Sequence, residues 1–296
     1  MHSLLLHNGE LVPTSAKVVS PGQVGYLNGW GVFSTLRVAD GVLFAFERHW
    51  ARMAKDAALL RVPMPADAEA FRRDLLRLVE ANRAYNAVLR VAVVRNRGGN
   101  FEGAGIGREF DVCAFTTDLQ KWPAAVKLSV EEQARHGANR FAGAKITSWI
   151  QNLNWLERAR SEGYDEVVLL DEHNRISECT SANIFAVMGE GVFTPPLTSG
   201  CLPGVTRAVI LEELQAAGVR VEEKHLSLTD LYEAESVFIT STTRELLPVA
   251  SIAGRAVRQN DSNRLVLQRA FSAFVQSYVT GANASGHSVL ANTIGR

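Results

Sequence analysis

The sequence has 296 residues, of which 47% are hydrophobic, and its 31 basic and 31 acidic side chains give a formal net charge of zero. This length suggests about two domains and is ample for a buried core. Without a basic stripe, nucleic acid is not an expected partner, and no apolar run approaches the roughly 20 residues that a membrane helix needs.

The cysteines and histidines bear on the cellular compartment and on metal binding. The three cysteines, Cys113, Cys179 and Cys201, are widely spaced, which is typical of reduced thiols. The N-terminal segment turns polar after Leu6, too early for a signal peptide. We therefore expect a cytoplasmic protein. The seven histidines form no HExxH motif, so no metal site is expected.

The first third of the chain predicts a small N-terminal α/β domain over residues 1–116. Asn8-Gly9 and Asp40-Gly41 each join apolar runs, the pattern of a tight hairpin. Apolar periodicity predicts the other elements. In chain order we predict a hairpin over 4–12, a hairpin over 32–46, helices over 47–60 and 66–83, and strands over 88–94 and 110–115.

A linker over 117–123 is predicted to lead into a larger domain over 124–282. Its predicted strands are 126–130, 167–170, 176–178, 183–187, 191–194 and 236–240, and its predicted helices are 148–162, 205–217 and 265–278. The small, polar tail over 283–296 is expected to be flexible. These patterns predict an α+β fold.

Several segments carry side chains suited to chemistry. Lys145 precedes a predicted helix among small and apolar residues, where desolvation makes an amine a better nucleophile. Glu178 ends a strand pattern, where it can accept a hydrogen bond from a protonated heterocycle. Gly204 opens a helix whose Val205 and Thr206 amides can bind phosphate.

Two further segments could bind anions. A hydroxyl cluster follows the strand over 236–240, and Arg48 and Arg52 share one helix face. A guanidinium there could clamp a phosphate. Taken alone, each of these segments is more typical of an ordinary structural feature, such as a polar turn or a solvated basic face.

Together and in order, the segments resemble the class IV aminotransferases. That family comprises branched-chain aminotransferases, D-amino acid aminotransferases and aminodeoxychorismate lyases. The resemblance spans about residues 5 to 280. The segments that carry it are Gly29-Trp-Gly31-Val-Phe33, Gly143-Ala-Lys145, Gly163-Tyr-Asp-Glu166, Glu178 with Asn183-Ile-Phe185, Gly204-Val-Thr-Arg207, and Ser241-Thr-Thr243 followed by Pro248-Val249.

The resemblance implies a two-domain fold-type IV enzyme that binds pyridoxal 5′-phosphate (PLP) in the interdomain cleft and forms a homodimer. Lys145 resembles the Schiff-base lysine and proton shuttle. Glu178 resembles the carboxylate that pairs with the pyridine nitrogen and makes the cofactor an electron sink. Tyr164 resembles the tyrosine near the phenolic oxygen. The phosphate would be bound by Arg52, the amides of Val205 and Thr206, and Thr242.

The implied reaction is a ping-pong transamination between a branched-chain L-amino acid and a 2-oxo acid. Phe33 and Arg90 resemble substrate-binding residues of branched-chain enzymes, and the Thr243 amide lies where the family binds a substrate carboxylate. However, the tyrosine and proline that flank the arginine in branched-chain enzymes are absent around Arg90, and Asn28 replaces another tyrosine.

Three alternatives stay open. Ser241-Thr-Thr243 resembles D-amino acid aminotransferases, although the carboxylate-binding Pro-Arg-x-His motif of those enzymes is absent. Ser34-Thr35 and the segment 89–99 resemble aminodeoxychorismate lyases, although Asn100 replaces an expected arginine. The third alternative is a binding module without catalysis, against which the intact Lys145 and Glu178 argue.

Overall fold

The computed structural model describes residues 1–100, 102–103, 106–214 and 218–289, and the chain divides into two compact units. The first unit comprises Met1–Gln120, Lys145–Trp149 and the end of the chain from Val275, and the second comprises Lys121–Ala144 and Ile150–Phe274. The predicted domains differ at two segments, since the sequence places 145–149 and 275–282 in the second domain.

The described residues form seven α-helices and fifteen strands. The helices are α1 (Val24–Asn28), α2 (Phe46–Leu60), α3 (Ala68–Ala81), α4 (Ile150–Ser161), α5 (Val205–Glu212), α6 (Leu228–Glu233) and α7 (Ser262–Ala284). The strands are β1 (Leu4–His7), β2 (Glu10–Pro13), β3 (Gly31–Ala39), β4 (Val42–Leu43), β5 (Ala87–Arg95), β6 (Phe110–Asp118), β7 (Val126–Glu131), β8 (Glu166–Leu170), β9 (Ile176–Cys179), β10 (Asn183–Met188), β11 (Gly191–Thr194), β12 (Arg220–Glu223), β13 (Ser236–Ser241), β14 (Glu245–Ile252) and β15 (Arg255–Ala256).

The first unit is built on a sheet in the order β2-β1-β6-β5-β3-β4, in which neighbouring strands are antiparallel. Helices α2 and α3 pack their apolar faces against it, and Leu36, Met53, Leu75 and Leu89 lie in the shared core. Helix α3 begins at a capped turn, because the Asp67 carboxylate accepts hydrogen bonds from the first-turn amides.

Both predicted hairpins of this unit are confirmed. Asn8 and Gly9 have φ angles of 51° and 84°, and Asp40 and Gly41 have φ angles of 47° and 76°. These left-handed pairs are what two-residue hairpin turns require. The second hairpin is shorter than predicted because Ala45, with φ 53°, turns the chain and α2 begins at Phe46.

The end of the chain departs from the expected flexible tail. Helix α7 continues to Ala284, beyond the predicted end at residue 278. Ser288 then forms an antiparallel bridge with Val42, and the Val289 amide donates to Gly41 O at 3.2 Å. Ser288 and Val289 are therefore held by backbone contacts to the β3–β4 hairpin, and residues 290–296 of the predicted tail lie outside the described residues.

The second unit is built on a mixed sheet in the order β12-β11-β10-β13-β14-β7-β8-β9, with β15 paired to β14. Strands β14, β7 and β8 run parallel, whereas β10, β13 and β14 are antiparallel neighbours. Ile184, Ile239 and Val249 lie in its buried core. Of the predicted helix over 205–217, residues 215–217 lie outside the described residues.

Within the part of the chain that the structure describes, no helix is long and apolar enough to cross a membrane. The same residues hold no group of three or more His, Cys, Asp or Glu side chains that could bind a metal ion.

Candidate active site

Lys145 lies on a short segment that extends the edge of the first unit's sheet. Ile146 forms an antiparallel bridge with Val32. The Phe33 amide donates to Lys145 O at 3.1 Å, and the Lys145 amide donates to Asp56 Oδ2 at 3.0 Å. The backbone of Lys145 is thus fixed by β3 on one side and by α2 on the other.

The Lys145 amine lies beside two other predicted site residues. Its Nζ is 4.6 Å from the ring centroid of Phe33, and Arg90 Cζ is 4.0 Å from the same centroid. Phe33 and Arg90 meet because Thr35 pairs with Arg90 across β3 and β5, so that residues 33 and 90 are diagonal neighbours on one face. The structure therefore brings Lys145, Phe33 and Arg90 together.

Arg90 is the unusual member of this group. Burial lowers the pKa of its guanidinium. Phe33, over which it stacks, is only 2% exposed. Among the residues that the structure describes, no hydrogen-bond acceptor or carboxylate contacts the Arg90 guanidinium. A half-buried cation of this kind is suited to binding an anionic group of a ligand.

Arg52, predicted to bind phosphate, belongs to a buried network on α2. Its Nη2 donates to Ser34 Oγ at 2.9 Å, and Ser34 Oγ lies 2.8 Å from His49 Nδ1. Burial, and the nearby charges of Arg52 and Lys145, hold the pKa of His49 well below its usual value. The imidazole ring is therefore neutral at pH 7, and its Nδ1 shares a hydrogen bond with the Ser34 hydroxyl.

This network includes residues that the sequence analysis did not assign. Burial lowers the pKa of Arg52 to about 10, while the Asp56 carboxylate one turn away opposes that shift. Burial raises the pKa of Asp56 in turn. His49 and Asp56 lie three and four residues from Arg52, a helical spacing that could have indicated the cluster.

Glu178, in the second unit, has a partner on each carboxylate oxygen. Arg135 Nε donates to Oε1 at 3.1 Å, and the Leu202 amide donates to Oε2 at 3.0 Å. Arg135 is fixed in turn by Asn152 Oδ1, at 3.2 Å from its Nη2. Sequence reasoning missed Arg135, because it lies in an irregular segment with no periodicity to mark it.

The start of α5 is connected to Glu178 through the Leu202 turn. Leu202 O accepts from the Gly204 amide at 2.8 Å and from Asn183 Nδ2 at 2.9 Å. Gly204 is the N-cap and provides no side-chain cap. A Cβ at Gly204 would overlap Asn183 Oδ1. Within the described part of the chain, the N-cap therefore provides no side-chain acceptor for the first-turn amides of Val205 and Thr206, which suits a helical anion site.

Thr242 and Thr243 are the central residues of the turn that joins β13 to β14. The Arg244 amide closes this turn on Ser241 O at 3.3 Å. Thr240, just before the turn, pairs with Asn183 across β13 and β10. The sheet thus places the Thr242–Thr243 turn at the same strand ends as Asn183, beside the start of α5.

Tyr164 packs against the core between α4 and β8. Its side chain contacts the cluster of Ala159, Val167 and Leu169, and its hydroxyl lies 4.0 Å from the position that a Cβ would take at Gly254. Its assigned place beside the cofactor remains a prediction.

Comparison with known proteins identifies the family. Residues 31–252 match the model of the amino-transferase class IV family. A D-alanine aminotransferase from Bacillus licheniformis is 29% identical over 263 residues, covering 86% of this chain and 89% of that protein. The crystal structure of the Escherichia coli branched-chain amino acid aminotransferase is 26% identical, with a TM-score of 0.83 over 92% of this chain and 94% of that chain.

A third relative extends the comparison of folds. The crystal structure of the branched-chain amino acid aminotransferase of Thermoproteus uzoniensis with norvaline is 22% identical, with a TM-score of 0.84 over 94% of this chain and 96% of that chain. The α+β fold expected from the sequence, that of the fold-type IV enzymes, is thereby confirmed. The chain belongs to the class IV aminotransferases.

Proposed function

We propose that this protein is a PLP-dependent enzyme that transfers an amino group between a branched-chain L-amino acid and a 2-oxo acid in two ping-pong half-reactions. The observation that carries the proposal is the group around Phe33. There a lysine amine and an arginine guanidinium approach one buried ring at 4.6 and 4.0 Å. An amine supplies the reactive group, and a guanidinium binds a carboxylate.

The side chains and amides fit PLP, which has an aldehyde, a basic ring nitrogen and a phosphate. Lys145 provides an amine for the aldehyde, and Glu178 provides a carboxylate for the ring nitrogen. The first-turn amides of Val205 and Thr206 suit the phosphate. We assign Arg52 and the Thr242 hydroxyl to the phosphate as well.

When bound, the cofactor supplies an electron sink for the electrons of the substrate Cα–H bond. In our proposal the Lys145 amine takes the α-proton of the amino acid and carries it as the general base. The Glu178 carboxylate keeps the ring nitrogen protonated, and Arg135 orients that carboxylate by donating to it at 3.1 Å.

Arg90 and Phe33 define the proposed substrate contacts. The apolar ring of Phe33 suits a branched aliphatic side chain and excludes water from the reacting amine. The Arg90 guanidinium suits a carboxylate of the amino acid or 2-oxo acid. The Thr243 amide, at a turn, can donate a second hydrogen bond to a substrate carboxylate.

A D-amino acid substrate is the second candidate. The observation that favours it is the 29% identity to a D-alanine aminotransferase over 86% of this chain. Since we assign Lys145 the same role in both, the two candidates differ in the amino acid that is bound, in its hand and its side chain, and not in the chemistry.

Single amino acids added to the PLP-loaded protein distinguish these candidates. We expect L-leucine or L-valine to bleach the visible band of the lysine-bound cofactor. Bleaching by D-alanine alone would transfer the assignment to D-amino acids. A band that no amino acid changes would contradict transamination and direct the next assay to aminodeoxychorismate.

We further propose a cytoplasmic homodimer, as the family resemblance implies. Cys113, Cys179 and Cys201 are all free thiols, which fits a reducing compartment. Light scattering of the purified protein measures its mass, and a monomer at micromolar concentration would contradict the proposed dimer.

A further inference from the structure

The β13–β14 turn is followed by a buried arginine that the proposed function does not use. Arg244 Nη2 donates to Glu166 Oε2 at 3.0 Å, and their side chains are only 6% and 1% exposed. Burial lowers the pKa of Arg244, and the Glu166 carboxylate opposes that shift. A charge pair this deeply buried needs further hydrogen bonds to offset its desolvation.

Those further bonds connect Arg244 to the turn after β9. Its Nη1 donates to Ser181 O at 3.0 Å, and its Nη2 donates to Ser181 Oγ at 2.9 Å. Glu166 also accepts hydrogen bonds from the hydroxyls of Thr180 and Ser181. Thr180 and Ser181 directly follow the strand that carries Glu178, so Arg244 connects the two turns.

Trp122 contacts both Arg244 and the β13–β14 turn. Arg244 Cζ lies 4.1 Å from the centroid of the Trp122 ring, and Trp122 Nε1 donates to Thr243 O at 3.0 Å. The Arg244 amide also donates to Ser241 Oγ at 3.2 Å. Both ends of the turn are thereby fixed, which leaves Thr242 and Thr243 with little freedom.

We propose that Arg244, with Trp122, is a positioning residue that holds the Thr242 hydroxyl and the Thr243 amide in place for the cofactor phosphate and the substrate carboxylate. The inference rests on the proposed function, since it presumes those two ligand contacts. Arginine is needed because one planar guanidinium binds Glu166, Ser181 and the Trp122 face together. A lysine has one ammonium and cannot make these contacts at once.

Two variants test the proposal. Arg244→Lys keeps the positive charge beside Glu166 but cannot donate to Glu166 and to both Ser181 oxygens at once. Trp122→Phe keeps a ring below Arg244 but removes the donor to Thr243 O. Arg72→Lys is the matched control, because the Arg72 side chain is also 6% exposed, pairs with Glu47 at 2.7 Å and stacks over Phe46 at 4.4 Å.

We expect Arg244→Lys to raise the KM for the amino acid and the Kd for PLP by about tenfold each, with kcat within a factor of about two or three. A carboxylate contact that is equal in the ground and transition states changes KM rather than kcat. Trp122→Phe should raise the same KM by a smaller factor. Arg72→Lys should lower the melting temperature without changing either constant.

Folded Arg244→Lys and Trp122→Phe proteins with wild-type KM and PLP affinity would overturn the inference. Equal changes in Arg72→Lys would also overturn it, because they would show a general loss of stability. If Arg244→Lys does not fold, the KM and PLP affinity of Trp122→Phe decide whether the inference holds. Failure of the proposed function gives a different result, since the wild-type protein itself would then bind no PLP or turn over no amino acid.

Discussion

At the residue scale, the carboxylate of Glu178 is fixed by hydrogen bonds from its neighbours. Since Arg135 and the Leu202 amide both donate to its carboxylate, Glu178→Gln would place a neutral amide where these donors and the ring nitrogen need an acceptor. We expect kcat to fall on the order of 100- to 1000-fold, the usual cost of losing one aligned electrostatic partner. The visible cofactor band should remain. Steady-state rates close to those of the wild type would contradict the role.

The second prediction concerns Arg90. Its guanidinium contacts no carboxylate among the described residues, and burial lowers its pKa, so a bound carboxylate would be its first anionic partner. Arg90→Met should raise the KM for the 2-oxo acid by about 10- to 100-fold, because a hydrogen bond to a charged group contributes about 1.5–3 kcal/mol. Initial rates over a range of 2-oxo acid concentrations measure this. An unchanged KM would contradict the assignment.

Local patterns in the sequence indicate candidate site residues, whereas the partners that contact those residues could not be predicted from it. Lys145, Glu178 and the start of α5 stand in recognisable local patterns. Arg135 contacts Glu178 from 43 residues away along the chain, and the Lys145 amide contacts Asp56 from 89 residues away. Local periodicity cannot predict such pairs, because the two residues become neighbours only when the chain folds.

At the scale of elements, the start of α5 depends on Gly204. A Cβ at this position would overlap Asn183 Oδ1, whose side chain is bound to Leu202 O. Gly204→Ala should therefore displace the first-turn amides and weaken PLP binding by about fivefold, since an aligned helix terminus contributes on the order of 1 kcal/mol to anion binding. Fluorescence titration measures the affinity.

Gly281→Ala in α7 is the control for this substitution, because a Cβ there meets no atom within 4 Å. It should stabilise the helix slightly and leave PLP binding unchanged. If Gly204→Ala bound PLP as tightly as Gly281→Ala, the start of α5 would not be the phosphate site.

The element that sequence reasoning missed most clearly is β14. Its segment contains Pro248, which cannot donate to a ladder and is uncommon in a central strand. The structure nevertheless pairs β14 with β13 on one side and with β7 on the other. Tertiary pairing overrides the local signal here, and the same applies to the segment of Lys145, which follows second-unit residues but pairs with β3.

At the scale of the whole molecule, His49 makes stability depend on pH. Its pKa is well below the usual 6.5 because the ring is buried beside Arg52 and Lys145. Below about pH 6.5 the unfolded chain therefore binds a proton that the folded chain does not. The free energy of unfolding falls by up to about 1.4 kcal/mol for each pH unit below this value because of His49. Above about pH 6.5 His49 does not lower it.

His49→Gln removes this titration. Urea denaturation at about pH 7.5 and about pH 5.5, on either side of the usual histidine pKa, should show a smaller loss of unfolding free energy in the variant than in the wild type. An equal loss in both proteins would assign the acid sensitivity to other groups.

Borohydride reduction of the PLP-loaded protein, followed by peptide mass spectrometry, tests whether Lys145 binds the cofactor covalently. We predict a phosphopyridoxyl group on the peptide that contains Lys145 and no labelling of that peptide in Lys145→Ala. A label on a different lysine, or a reduced protein with no label, would contradict the covalent role of Lys145.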